Sequence, residues 1–223
     1  MMKNTLQIPL MVLSALILIA CQSSIIQNLG NTVTETRAVS GFDRVAVIGT
    51  GKLTLAQTGT ESLSVEADEA IMQYITTEVK GNTLILEYDP PNNNPTLFAQ
   101  SINYTLTVDE ITGLEISGSG KIVTEKITTE SLDLEISGSG EIQVSGNADA
   151  QNIQIDGNGE VDAEDLSGDS GIVSITGSGN VTVWLTGSLS IEINGSGTVN
   201  YYGDPSTSLS ISGSGKINNR GSK

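Results

Sequence analysis

The sequence predicts an all-β fold, a β-solenoid, from two features of the chain. A short apolar-x-Gly-x-Gly motif returns six times between residues 116 and 215, with steps of 20, 19, 20, 18 and 18 residues. Apolar and polar residues alternate on both sides of each glycine pair. A steady period near 20 residues marks a repeat architecture. Alternation of period two marks strands with one dry and one wet face.

Residues 1–20 read as an address rather than as structure. Lys3 supplies a positive start, and Leu6 to Ala20 is mostly apolar, too short for a typical bilayer-spanning helix. It ends Leu18-Ile19-Ala20-Cys21, which resembles the lipobox of bacterial lipoproteins. In that family the cysteine sulfur receives a diacylglycerol, the signal is cut before it, and the new amino terminus is acylated. Cys21 is the only cysteine of the chain. The alternative is a plain secretory signal with a leftover free thiol, which an oxidising compartment disfavours. More than one acyl chain gives stable membrane attachment. Residue 22 is Gln rather than Asp, unlike an inner-membrane retention signal, so the expected location is the outer membrane or cell surface.

Loss of residues 1–20 removes Lys3 and no acid, so 203 residues remain with a net charge of −17, against −16 for the whole chain. Such a surface repels nucleic acid and anionic lipid and favours solubility. There is no histidine, charged residues are 16 % and aromatics 4 %. That composition fits an extracellular β-protein with many turns.

Residues 21–40 are polar and are expected to be a tether. A single solenoid domain is expected over 41–220, irregular over 41–110 and regular over 111–220. Alternation begins after Phe42 with Val45, Val47, Leu53 and Leu55, then Leu63 and Val65. Ile48-Gly-Thr-Gly51 is an early relative of the repeated motif. Asp68 to Ile75 is the one plausible helical turn, with acids at its start where the helix dipole favours them. Val79-Lys-Gly-Asn-Thr-Leu84 predicts a hairpin turn leading into a strand over Leu84 to Tyr88. Prolines 90, 91 and 95 make Asp89 to Pro95 an exposed loop. Ile102 to Val108 is a strand with Tyr104 and Leu106 in phase.

In the regular part the predicted corners are Gly118 and Gly120, Gly138 and Gly140, Gly157 and Gly159, Gly177 and Gly179, Gly195 and Gly197, and Gly213 and Gly215. Leu132, Leu134 and Ile136 lead into one such corner, and Ile142 and Val144 lead out of it. A looser return such as Ser145 to Asp149 or Gly203 to Ser206 then closes the coil. One coil cannot cover its own apolar face, whereas stacking on like coils at about 4.8 Å does. Glycine suits a corner where φ is positive and the next coil passes close. Six separate hairpins in a meander remain the alternative.

With these strands, the stretch Thr77-x-Val-x-Gly-Asn-x-Leu-x-Leu86 and the Gly-Ser-Gly ladder placed, the chain resembles the putative auto-transporter adhesin, head GIN domain family. These are secreted or lipid-anchored proteins common in Bacteroidetes and related bacteria. The likeness covers about residues 40–218. It implies a right-handed two-sheet β-superhelix with Gly-Ser-Gly at the tight turns between sheets. It also implies adhesion and, by structural analogy, a trimer. It transfers no catalytic residue and no cofactor. The chain departs from the pattern at Gly157-Asn-Gly159 and at its Asn218-Asn219-Arg220 ending.

Several motifs invite a chemistry. Asp156, Asn158, Asp162 and Asp165 have some EF-hand spacing. However, the first ligand position is Gln154, the closing acid is Asp rather than Glu, and no helices flank the run. Its glycines keep step with the ladder, so no metal is expected. Gly49-Thr-Gly-Lys52 lacks the first glycine and the closing Ser or Thr of a phosphate loop. Acyltransferases of β-helical shape use a catalytic histidine, absent here, and polysaccharide lyases set basic residues beside calcium-holding acid clusters. The regular coils up to 217 offer only Lys121, Lys126 and Lys216 as cations. No nucleophile, base and orienter assemble by spacing, so an enzyme is not expected.

One outward feature is sharper. Positions seven beyond each first glycine share a phase, and the last three are Trp184, Tyr202 and Arg220. Stacked coils would set them in one column, suited to a carbohydrate or a neighbouring subunit. Ordinary cross-strand packing is the other reading of the same residues. Asn218, Asn219, Arg220 and Lys223 are polar enough to shield the last edge. The function expected is a lipid-anchored envelope adhesin or binding scaffold. Its partners would be a host or envelope glycan or protein, and further copies of itself. The alternatives are a structural envelope protein without external ligand and, least favoured, a glycan-active enzyme.

Overall fold

The computed structural model describes residues 31–91 and 101–223. The chain is nearly all β and forms a solenoid of about five turns. Most turns are organised by a glycine corner. Leading into the corners are β2 (Arg44–Gly49), β8 (Gly113–Gly118) and β14 (Ser206–Gly213), with β6 (Thr83–Tyr88) in line with β2 but followed by no glycine. Leading out are β3 (Lys52–Gln57), β13 (Thr198–Tyr202) and β15 (Lys216–Asn219), with β7 (Asn103–Val108) in line with β3. Four long strands do both in turn: β9 (Lys121–Gly138), β10 (Glu141–Gly157), β11 (Glu160–Gly177) and β12 (Asn180–Gly195).

Parallel pairing puts like residues in file. Before the corner one column runs Leu86, Val47, Ile116, Ile136, Ile155, Ile175, Ile193 and Ile211. After it a second runs Tyr104, Leu53, Ile122, Ile142, Val161, Val181, Val199 and Ile217. All but Ile211 and Ile217, on the final coil, are buried. These facing columns are the core, and each β-branched side chain packs on its equivalent one strand away. The glycine corners lie in one seam from Gly49 through Gly118, Gly138, Gly157, Gly177 and Gly195 to Gly213. The stacked coil is therefore the arrangement, not a meander of hairpins.

The corner shows why glycine recurs. Gly138 has φ 127°. Its Cβ, if it had one, would lie 2.5 Å from the backbone oxygen of Gly118. That same oxygen accepts a hydrogen bond from Ser139 N at 2.9 Å. Positive φ and the neighbouring coil thus both exclude a side chain.

The first part of the chain departs from the expected layout. The coil made by β2 and β3 already stands in register with Gly113–Thr124, so regularity begins well before residue 111. The later strands β6 and β7 lie on its outer side. β7 comes between β3 and β4 (Ser62–Asp68), although β3 and β4 are chain neighbours. β5 (Ile75–Lys80) and β6 form the expected antiparallel hairpin around Gly81, which has φ 64°. The helical turn shortens to α1 (Glu69–Met72), with the Asp68 carboxylate accepting from Ala70 N at 2.8 Å. Of the expected loop, Asp89, Pro90 and Pro91 are neither strand nor helix, and the rest lies outside the described residues.

Two expectations are corrected. The tether expected over 21–40 gives way to structure at Thr32–Arg37, which is a strand, β1, antiparallel to β4; residues 21–30 lie outside the described residues. Its threonines and Val33 favour extended backbone, and its charges suit an outermost strand that faces water. The loose return expected at Ser145–Asp149 is instead paired within β10, with register shifts between Gln143 and Ser145. Parallel neighbours on both sides satisfy its backbone, which an open loop would leave to water. The final return stays outside strand, at Gly203, Asp204 and Pro205.

Candidate functional site

Trp184 follows the buried Val183 on β12, so strand alternation turns its indole outward, where it is half-buried. Tyr202 closes β13 and is the direct register partner of Trp184. Two aromatic rings therefore stand side by side on adjacent strands, as their shared phase predicts. The third member differs. Arg220 N donates to Tyr201 O at 2.8 Å, which holds the backbone in line. The guanidinium, however, turns to the Asn200 side chain, with Nε and Nη2 at 3.1 and 2.9 Å from Oδ1. An oxygen that accepts a charge-assisted bond outcompetes a ring face for it.

The cation over the rings is Lys223. Its Nζ lies 5.4 Å from the Trp184 ring centre and 5.5 Å from that of Tyr202. The same ammonium donates to the Glu164 backbone oxygen at 2.6 Å and to Asp165 Oδ1 at 2.7 Å, with Glu164 Oε1 at 3.6 Å. Partial burial pulls the Lys223 pKa down. The hydrogen bond to Asp165 and the charges of Asp165 and Glu164 outweigh it and hold the ammonium above the ordinary lysine value.

A bulge brings the two acids there. Ala163 pairs with Val183, but the next pair is Ser167 with Trp184. Glu164, Asp165 and Leu166 are thus extra on β11, Leu166 is buried, and the acids are put beside the indole. The counting rule that aligned Glu164 with Trp184 fails at this point. The sequence carries a trace of the bulge: the glycine step falls from 20 residues to 18 between these coils. Nothing local singles out Lys223.

A second feature escaped sequence reasoning. Ser131, Ala150, Ser170, Ser188 and Ser206 stand in one column, each seven residues before a corner glycine. They line a groove of about 670 Å³ beside the exposed Ile172. The signal was present as a constant offset, read only on the other side of the corner.

The acidic run at 154–165 is spread over different partners. Asp156 accepts from Gln154 Nε2 at 2.9 Å, Asp162 from Glu164 N at 3.1 Å, and Asp165 binds Lys223. Among the described residues no three His, Cys, Asp or Glu side chains converge as metal ligands. Among the same residues no helix is long and apolar enough to cross a membrane. Cys21 lies outside them.

Comparison with known proteins agrees with this architecture. A crystal structure of a putative adhesin from Bacteroides fragilis is similar, with TM-score 0.68 and 25 % identity, over 85 % of this chain and 97 % of the other. A putative lipid binding protein from Parabacteroides distasonis is similar with TM-score 0.56 and 25 % identity, over the same shares of the two chains, 85 % and 97 %. A putative adhesin from Parabacteroides distasonis shares the fold, with TM-score 0.55 and 18 % identity, over 85 % and 97 %. No curated protein matches the chain. Residues 41–205 match the model of one family, and the chain belongs to it: putative auto-transporter adhesin, head GIN domain.

Proposed function

We propose that this protein is a cell-surface adhesin, lipid-anchored to the outer membrane at Cys21, that binds a host or envelope glycan or protein and does not catalyse. The polarity of the stack carries this reading. Along one series the strands run β1, β4, β7, β3, β9, β10, β11, β12, β13 and β15. β1 follows the proposed anchor segment in sequence and occupies one end. Trp184 and Tyr202 stand on β12 and β13 near the other. Eight strand spacings at about 4.8 Å separate β1 from β13, so roughly 40 Å of stacked coil would hold the rings away from the membrane. The likeness to the putative adhesin from Bacteroides fragilis supports the same assignment.

The experiment has two arms. Metabolic labelling with an alkyne fatty acid is expected to mark the wild-type protein in the outer-membrane fraction. Cys21→Ser is expected to lose the label and to leave that fraction. Binding to arrayed glycans and matrix proteins is expected for the wild type and lost in Trp184→Ala. Absence of any binding by the correctly folded protein would favour a structural envelope role instead.

A further inference from the structure

We infer that Glu164, Asp165, Trp184 and Tyr202 form a receptor site for a lysine side chain of a partner polypeptide, which Lys223 occupies as an internal ligand. This rests on the reading of the far end as the binding end and names the ligand class that end takes.

The four groups converge on one ammonium. Two aromatic faces lie at 5.4 and 5.5 Å from Nζ. A backbone oxygen and a carboxylate oxygen lie at 2.6 and 2.7 Å. Aromatic faces with carboxylates recognise organic cations, and the two hydrogen bonds select among them. A primary ammonium has protons to donate to Glu164 O and Asp165 Oδ1, whereas a quaternary ammonium has none. The seated Lys223 side chain is 26 % exposed, and its alkyl stem shows the reach a lysine would use. Basic polypeptides are also the partners that a net charge of −16 attracts.

The internal ligand is replaceable. Lys223 lies two residues beyond Gly221, whose oxygen accepts from Gly203 N at 2.9 Å. Its grip on Glu164 and Asp165 is made through the ammonium alone. A group on so short a tether competes at an effective concentration in the millimolar range. A single free lysine would seldom displace it, while a lysine-rich surface presenting several at once would. Lys223 thereby sets a threshold against isolated cations.

The test uses the full chain carrying Lys223→Gln, with Nα-acetyl-lysine N-methylamide as probe and the fluorescence of Trp184, the only tryptophan, as readout. Circular dichroism checks the fold of each variant. A saturable change is expected in Lys223→Gln, weaker by about fivefold or more in the wild type, where the tethered lysine competes. The uncharged norleucine analogue is expected to give no change. Adding Asp165→Asn to Lys223→Gln is expected to weaken the response about tenfold. A folded Lys223→Gln variant with no saturable response overturns the proposal. So does an equal response to the norleucine analogue, or tighter binding of tetramethylammonium than of the lysine probe. The two readings fail separately. Loss of array binding with the lysine response intact overturns the adhesin reading alone. Array binding that depends on Trp184, with no lysine response, overturns this one alone.

Discussion

Arg44 reaches over Gly113 to Asp133, with Nη1 2.8 Å from Oδ2, and so ties the first coil to one two strands away. Gly113 leaves the room: a Cβ there would sit 2.5 Å from the guanidinium carbon of Arg44. Both side chains are partly exposed, at 29 % and 41 %, so solvent screens the pair. Arg44→Ala or Asp133→Ala is expected to cost at most about 1 kcal/mol, and less in high salt. Denaturant unfolding at two ionic strengths checks this; a loss that salt leaves unchanged would mean packing rather than charge.

The corner glycines should be far less tolerant. Gly138→Ala must place its methyl against the Gly118 carbonyl, at positive φ, with backbone as the obstacle. A cost of about 3 kcal/mol or more is expected. Gly81, with φ 64° and nothing within 4 Å of a Cβ, should accept Asn for about 1 kcal/mol or less. Thermal melting of the two variants is the check, and similar losses would contradict the packed seam.

Burial separates isoleucines that look alike in the sequence. Ile155 is fully buried between Ile136 and Ile175, while Ile172 is 57 % exposed on the groove. Ile155→Ala is expected to cost about 2–5 kcal/mol. Ile172→Ser should stay within about 0.5 kcal/mol. Equal effects in chemical denaturation would mean that the inward column is not the core.

Tyr104 supplies a pH dependence. Its hydroxyl is buried without a hydrogen-bond partner among the described residues. Burial raises its pKa well above the ordinary tyrosine value; Arg37 opposes this and Tyr88 adds to it. The unfolded chain releases the phenol proton near pH 10 while the folded chain keeps it. Stability from this group is therefore intact below about pH 10 and falls as pH rises beyond it. Tyr104→Phe is expected to flatten that alkaline loss in denaturant midpoints. At neutral pH it should be neutral or stabilising, by up to about 2 kcal/mol, since it removes an unpaired buried hydroxyl. A clear destabilisation at neutral pH would show that the hydroxyl has a partner.

The period, the corners and the two inward columns were all legible in the chain. Ile116, Ile136 and Ile155 recur at a fixed offset from their glycines, and both alternation and the glycine corner are local signals repeated many times. The aromatic pair was legible for the same reason, since β12 and β13 pair with no register shift and Trp184 and Tyr202 keep the same offset from their glycines. What required the tertiary structure was non-local. Thr32–Arg37 reads as a polar linker until the free edge of β4 gives it hydrogen bonds. The place of β7 between β3 and β4 is a matter of long-range pairing, and no local preference records that. The bulge at Glu164–Leu166 breaks the count that would have put Glu164 in the aromatic column, and Arg220 leaves that column because its guanidinium turns to Asn200. Lys223 meets Asp165 across 58 residues; charge and chain reach select that contact, and neither leaves a period in the sequence. Repetition determined the scaffold, and long-range pairing decided what stands at its end.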